Sequence, residues 1–428
     1  MSMRIRGLPT CRYEPRTAQI RDDSCVPQVR KWEAVASNER SSYFKDATAE
    51  DSGSGSSVLI TIHANEETAE FLELASQFIH KNICMTRVRF FNPGLIYQTY
   101  KADFDKALNR VLTNGDLILR ADVDEFEKRL AEFVGVKHAV SLNSGTDALY
   151  LSLWALGIGP GDEVIVPSHT FVATAQVVAQ LGATPVLVDM DGQITITDKT
   201  RAIIPAHIAG AFGADMNLLL QIATERGRQI HVIEDACQAL GAVQHERMAG
   251  SFGDTGCFSF YPAKILGAFG DAGAVVTDDD NLYEEIKELR NHYKVNYSKW
   301  GINSRMDNMQ AAILNVRIQH LAEMLDARKM IAEHYLESLA GIGDIILPEN
   351  MPGRVWQDFI IRTPQRDDLF EFLKNEGIET MKNDYPMPIG KLPQAAKYEA
   401  ETLRIPCNDV LTIGEVKEVV ESIKKFYA

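Results

Sequence analysis

The chain has 428 residues, 45% hydrophobic and 24% charged, enough for the large core of a globular protein of two or three domains of ~100 to 200 residues. Its 59 acidic against 44 basic side chains give a formal charge of -15, which repels nucleic acid and anionic lipid, and no apolar run approaches the ~20 residues of a membrane helix. The six cysteines, none in a C-x-x-C pair, are too few for a disulfide framework and give no support to a metal site, so no metal is expected and a reducing cytoplasm is the expected compartment.

Residues 1–57 show neither helical nor strand periodicity and close on AEDSGSGSS, the composition of a flexible linker, so they read as disordered. The first residues lack the apolar core of a secretory signal, and Glu14, Asp22 and Asp23 count against a transit peptide. VLITIHA, from Val58, reads as a short strand. The following EETAEFLELASQFIHKNI reads as an amphipathic helix, with Ala69, Leu72, Leu74, Phe78 and Ile79 near helical spacing. The pattern changes at Met85, a candidate natural start that makes residues 1–84 an N-terminal extension.

From about residue 115, strand-like and helical runs alternate. The strands are HAVSL (138–142), EVIV (163–166), PVLVDM (185–190), AIIPAH (202–207), HVIEDA (231–236), CFSFY (257–261) and GAVVTD (273–278). TDALYLSLWALG and FVATAQVVAQLG are among the helices between them, and GIGPGDE reads as a helix stop turning into a strand. The alternation implies βαβ crossovers and a mostly parallel sheet flanked by helices, one large α/β domain over residues 85–325. One long helix is expected from near Asp307. Beyond Gly341, VWQDFIIRT, a helix at 366–376 and a last amphipathic helix from Gly414 to Tyr427 make a smaller α+β domain, with the boundary at 325/326.

Three stretches carry candidate chemistry. In SLNSGTDALYL a strand runs into a helix start at Ser144, Gly145 and Thr146, where unpaired amides at the positive end of the helix dipole form an anion cup; alone, ordinary N-capping explains it better. In VIEDACQALGA the alternation of a strand puts Glu234 and Asp235 on opposite faces, so one carboxylate enters a covered layer or a site and needs a positive partner; a helix N-cap by Asp235 is the plainer account. In GCFSFYPAKILGAFGDAGAVVT, Lys264 stands between an aromatic strand and glycines 267, 270 and 273, where burial would turn it into an amine nucleophile; a snorkelling surface lysine and turn glycines are the bland alternatives. Taken in order, an anion cup, a strand-end carboxylate and a lysine on a later strand-to-loop junction are the parts that hold pyridoxal phosphate.

The segments SGTDAL, GDEVIVPSHTFVATA, GATPVLVDMD, VIEDACQALGA, GDTGCFSFYPAKILGAFGDAGAVVT and GINSRMDNMQAAIL resemble the DegT-type sugar aminotransferases, pyridoxal-phosphate enzymes of the aspartate aminotransferase fold (fold type I). The resemblance implies that Lys264 forms the covalent link to the cofactor and that Asp235 binds its ring nitrogen. It puts Gln238 at the ring's 3-oxygen and Phe171 stacked on the ring, with Gly145, Thr146 and Ser259 on the phosphate. It also implies that Asn303 reaches the phosphate of the neighbouring subunit, which makes the enzyme a homodimer with shared active sites. The implied reaction moves an amino group from an amino-acid donor, glutamate by analogy, to a nucleotide-linked keto sugar, with Lys264 as the base and a slight preference for 3-keto over 4-keto substrates. Histidine at position 264 would instead imply deoxygenation. The chain departs from the family pattern at two places: Asn308 replaces a glutamate, and Gly390 and Lys391 stand where DYPMPIGKLPQAA would carry a histidine near the sugar. Rival readings are a fold type I enzyme of another reaction class and a non-catalytic regulatory relative, the latter opposed by the intact Lys264, Asp235 and Ser259.

Overall fold

A computed structural model of the chain describes residues 86–224 and 230–428, with four short strands ahead of them. The chain divides into two units, Met1–Cys84 and Met85–Ala428. In the first, Ser2–Met3 pairs antiparallel with Cys11–Arg12, and Ala47–Asp51 with Val58–Ile62. The strand expected from Val58 is therefore present. Three further strands fall inside residues 1–57, read above as disordered, because strand pairing uses main-chain groups and needs no side-chain period. The helix expected over residues 66–83 lies outside the described residues.

In the second unit, three helices that the strand pattern did not announce come first: α1 (Pro93–Thr99), α2 (Lys101–Asn114) and α3 (Ala121–Val134). All seven expected strands then form one sheet: β1 (His138–Leu142), β2 (Glu163–Pro167), β3 (Thr184–Val188), β4 (Thr200–Ile203), β5 (His231–Asp235), β6 (Thr255–Ser259) and β7 (Gly273–Thr277). Their spatial order is β1-β7-β6-β5-β4-β2-β3. Every pairing is parallel except those of β7, which runs antiparallel to both β6 and β1. The run AIIPAH ends as a strand at Ile203, ahead of Pro205, which has no N–H to donate. Alternation along β6 buries Cys257 on one face and Phe258 on the other. The first face is covered by α4 (Gly145–Ala155), whose Ala148, Leu149, Leu151 and Leu153 are all buried, as an all-round apolar helix requires.

The single long helix expected from Asp307 is instead two. α8 (Asn308–Arg317) tightens into a 3-10 turn at Ile318–His320 before α9 (Leu321–Ser338), and no Pro or Gly at the junction announces the break. Between α4 and α8 lie α5 (Val172–Gln180), α6 (Met216–Thr224) and α7 (Asp280–Leu289). The C-terminal part is a three-stranded antiparallel sheet of β8 (Phe359–Arg362), β9 (Met381–Lys382) and β10 (Thr402–Ile405), in the order β8-β10-β9. It packs with α9, α10 (Arg366–Asn375) and α12 (Ile413–Tyr427) around Tyr335, Phe359, Leu369, Leu403 and Val419. The boundary placed at 325/326 thus falls within α9. Pro393–Glu401, α11, completes the helices. Among the described residues no helix is long and apolar enough to cross a membrane.

Asn308, the departure from glutamate, is fully buried. Its Oδ1 accepts from Val123 N (3.2 Å) and its Nδ2 donates to Asp122 Oδ2 (2.8 Å), a carboxylate also bound by Arg110. A glutamate here would set a second carboxylate against Asp122 and remove the donor. Asn308→Glu is expected to cost about 3 to 5 kcal/mol, read as a lower urea midpoint. Adding Asp122→Asn, which restores a donor to the pair, should recover most of the loss.

Candidate active site

Ser144 caps α4 as expected, its Oγ accepting from Asp147 N at 3.1 Å. That bond leaves the amides of Gly145 and Thr146 without an acceptor among the described residues. A Cβ on Gly145 would lie 2.8 Å from both Cys237 Sγ and Ser259 Cβ, so glycine is what allows the helix start to press against the ends of β5 and β6. Capping and an anion cup coexist, and Gly145, Thr146 and Ser259 share one corner. Gly145→Ala must push that corner apart; at ~1 to 3 kcal/mol for overpacking, cofactor affinity is expected to fall about 10- to 100-fold, measured by titrating the cofactor into the cofactor-free protein.

At the end of β5, Glu234 is the carboxylate that enters the covered layer. It is fully buried, accepts from the amides of Gly250 (2.9 Å), Phe252 (2.6 Å) and Gly253 (2.9 Å), and meets His207 Nε2 at 3.1 Å. Asp235 faces the other way, toward the open end of the sheet. Its Oδ2 accepts from Thr174 Oγ1 (2.7 Å) and its Oδ1 from Cys237 N (3.3 Å). No helix begins there, so the N-cap account of Asp235 fails. The carboxylate is 8% exposed, and no ion pair reaches it among the described residues. Its burial calls for a positive partner, and none is supplied by a side chain among the described residues.

Between these groups lies Cys237. Burial pushes its thiol well above the ordinary range, the Asp235 carboxylate adds to the rise, and Lys264 opposes it. The residue therefore stays a neutral packing group that lies within the influence of both Asp235 and Lys264. Lys264 is half-buried on the loop joining β6 to β7, and its Nζ makes no hydrogen bond or ion pair among the described residues.

Phe171 precedes α5 and is 53% exposed, its ring edge-on to Tyr385 at 6.3 Å. Gln238 accepts from Ala209 N (2.9 Å) and donates from Nε2 to the hydroxyl of Tyr385 (3.4 Å). Burial raises the Tyr385 phenol above its ordinary value, with Arg404 opposing. The segment that lacks the family's histidine is closed by a different cluster: Lys391 Nζ bonds Glu399, whose carboxylate also meets His169 Nδ1 (2.8 Å) and accepts from Tyr385 N (3.2 Å). Burial pushes the Glu399 carboxyl up, but its bonds to His169 and Lys391 outweigh that and hold it below its ordinary value. A cavity of about 380 Å³ adjoins at His169 and Ala209, but neither Lys264, Asp235 nor Gln238 lines it.

Asn303 lies next to Ser304, whose hydroxyl bonds Asn143 just ahead of the α4 start. Asn303 itself is exposed, and its Oδ1 accepts from Arg305 Nε at 2.9 Å. Sequence reasoning missed Thr174, in the first turn of the apolar α5, whose hydroxyl lies 2.9 Å from that of Thr170 just ahead of the helix. Among the described residues no group of His, Cys, Asp or Glu is arranged to hold a metal.

An anion cup, a buried carboxylate without a cation, an exposed aromatic face and an unpaired amine fit pyridoxal phosphate, whose phosphate, protonated ring nitrogen, ring face and aldehyde are the complementary groups. Comparison with known proteins agrees. A dTDP-3-amino-3,4,6-trideoxy-alpha-D-glucose transaminase of Streptomyces venezuelae is 39% identical over 368 residues, 79% of this chain and 96% of that protein. A UDP-N-acetyl-3-dehydro-alpha-D-glucosamine 3-aminotransferase of Acidithiobacillus ferrooxidans is 43% identical over 310 residues, 69% of this chain and 82% of that protein. The crystal structure of ntda from Bacillus subtilis with bound cofactor PMP superposes with a TM-score of 0.72 at 28% identity, covering 86% of this chain and 93% of that one. Residues 98–424 match the DegT/DnrJ/EryC1/StrS aminotransferase family, and the chain belongs to that family as a pyridoxal-phosphate-dependent aminotransferase.

Proposed function

We propose that this enzyme transfers the amino group of glutamate to the 3-keto group of a nucleotide-linked sugar, working as a homodimer. The observation that carries the reading is the buried Asp235 carboxylate, held by the Thr174 hydroxyl and the Cys237 amide, with Lys264, whose Nζ has no partner among the described residues, acting on the same Cys237 thiol. When bound, the cofactor supplies an aldehyde that takes up amino groups and a protonated ring that withdraws electrons. Asp235 would pair with the ring nitrogen, its carboxylate aimed by the Thr174 hydroxyl and the Cys237 amide. Phe171 would cover the ring face, and Gln238 would contact the ring's 3-oxygen. The amides of Gly145 and Thr146 and the Ser259 hydroxyl would hold the phosphate. Lys264 Nζ would anchor the cofactor and, once displaced by the donor's amino group, would take the donor's α-proton and return one during the second half of the cycle.

The named activities of both relatives concern the sugar 3-position, which supports the 3-keto assignment. The dimer reading is supported by the surface beside Asn303: Val295 (64% exposed), Tyr297 (73%) and Trp300 (89%) form an apolar stretch that an interface would cover, letting Asn303 reach the partner's phosphate. The test is to supply glutamate with UDP- and dTDP-linked 3-keto and 4-keto sugars, following 2-oxoglutarate and the product mass. Amination confined to 4-keto sugars would overturn the positional assignment, and failure to accumulate the pyridoxamine form with any amino acid would overturn the reaction class.

A further inference from the structure

Two main-chain groups flanking Lys264, the Ala263 carbonyl and the Ile265 amide, are satisfied from outside its own loop. Residues 260–272 close on themselves through Lys264 N to Tyr261 O and Ala268 N to Phe260 O, both 2.8 Å. The turn is so tight that a Cβ on Gly267 would lie 2.1 Å from Pro262 O. This leaves the carbonyl before Lys264 and the amide after it facing outward, and a single side chain takes both. Ile265 N donates to Gln357 Oε1 at 2.9 Å, and Gln357 Nε2 donates to Ala263 O at 3.0 Å. An amide side chain carries the donor end and the acceptor end that this pair of groups needs.

Gln357 is 6% exposed and stands just ahead of β8 in the C-terminal sheet. Its own carbonyl accepts from Arg328 Nη1 at 3.1 Å. Arg328 and Arg317 share the Asp409 carboxylate at 3.1 and 3.4 Å, and Arg317 donates to the carbonyls of Gly267 (2.8 Å) and Ile265 (3.2 Å). The loop is thus held along its length by side chains from outside it.

We infer that Gln357 is a positioning residue for Lys264: by gripping the peptide groups on either side, it aims Nζ and ties that aim to the part of the chain that also supplies Tyr385. The inference rests on Lys264 being the cofactor-linked amine. The test compares holoenzymes of the wild type, Gln357→Met and Gln357→Glu in the glutamate half-reaction. Two readouts beyond turnover are added: the circular dichroism of the visible cofactor band and hydrogen exchange at the Ile265 amide. Gln357→Met is expected to lower kcat about 10- to 100-fold with KM for glutamate changed less than about 2-fold, to weaken the dichroic band and to deprotect Ile265. Gln357→Glu keeps an acceptor for Ile265 N and loses the donor to Ala263 O, so it should retain protection at Ile265 and fall between the other two in kcat. Unchanged kcat per bound cofactor and an unchanged dichroic band in both variants, with or without a lower melting temperature, would overturn the inference. A wild-type band that survives Lys264→Ala would overturn the assignment of Lys264 and the inference with it.

Discussion

Lys264→Ala is expected to abolish the visible absorbance of the lysine-bound cofactor and to lower turnover by about 10³-fold or more. The magnitude follows from the two tasks proposed for Lys264, covalent anchor and proton carrier, and from its Nζ being free of any hydrogen bond or ion pair among the described residues. Lys391, the other lysine beside the site, is bonded to Glu399 and is not placed to substitute. The phosphate cup is untouched by the change, so the variant should still bind cofactor, and added methylamine should restore part of the rate. Absorbance titration and single-turnover kinetics with glutamate check this. Turnover within about 10-fold of wild type would show that the base is another residue.

The second large effect belongs to Asp235. Asp235→Asn preserves the shape and can still accept from Thr174, but it removes the anion that holds the ring nitrogen protonated. With one preorganised electrostatic partner lost, turnover is expected to fall about 10²- to 10³-fold, while the phosphate contacts keep the cofactor bound. The stability effect should have the opposite sign. In the cofactor-free protein this carboxylate is buried without a cation among the described residues, so neutralising it relieves a desolvation cost. The cofactor-free variant should melt no lower than the wild type. Wild-type turnover in Asp235→Asn would remove Asp235 from the mechanism, and a lower melting temperature would mean that the charge is satisfied from within the protein.

Much of the large domain was legible because a buried parallel sheet demands continuous apolar strands. All seven runs became strands, and HAVSL matched its boundaries residue for residue. The C-terminal helices at 366–375 and 413–427 were equally plain from their spacing. The break between α8 and α9 was invisible because no Pro or Gly marks it. α1 to α3 follow one another with no strand of the sheet between them, so the alternation of strand and helix does not mark them. Within the site, residue order suggested the cofactor, yet it gave the wrong weight to individual explanations. The N-cap reading was correct for Ser144 and wrong for Asp235, and only three-dimensional placement separates the two.

By itself the sequence determined that a strand-end carboxylate and a later lysine recur in the order a pyridoxal-phosphate site needs, since motif spacing along strands follows from a period of two. Tertiary structure separated the two carboxylates: the amides of Gly250, Phe252 and Gly253 capture Glu234, while Asp235 meets the Thr174 hydroxyl and the Cys237 amide. Tertiary structure also brought Thr174 to Asp235, Tyr385 to Gln238 and Gln357 to the peptide groups beside Lys264, partners from distant segments that bear no local mark. The physical reason is that hydrogen bonds and close packing act through space, and a side chain's partner can lie 61 residues away, as for Thr174 and Asp235, or 92, as for Gln357 and Ile265.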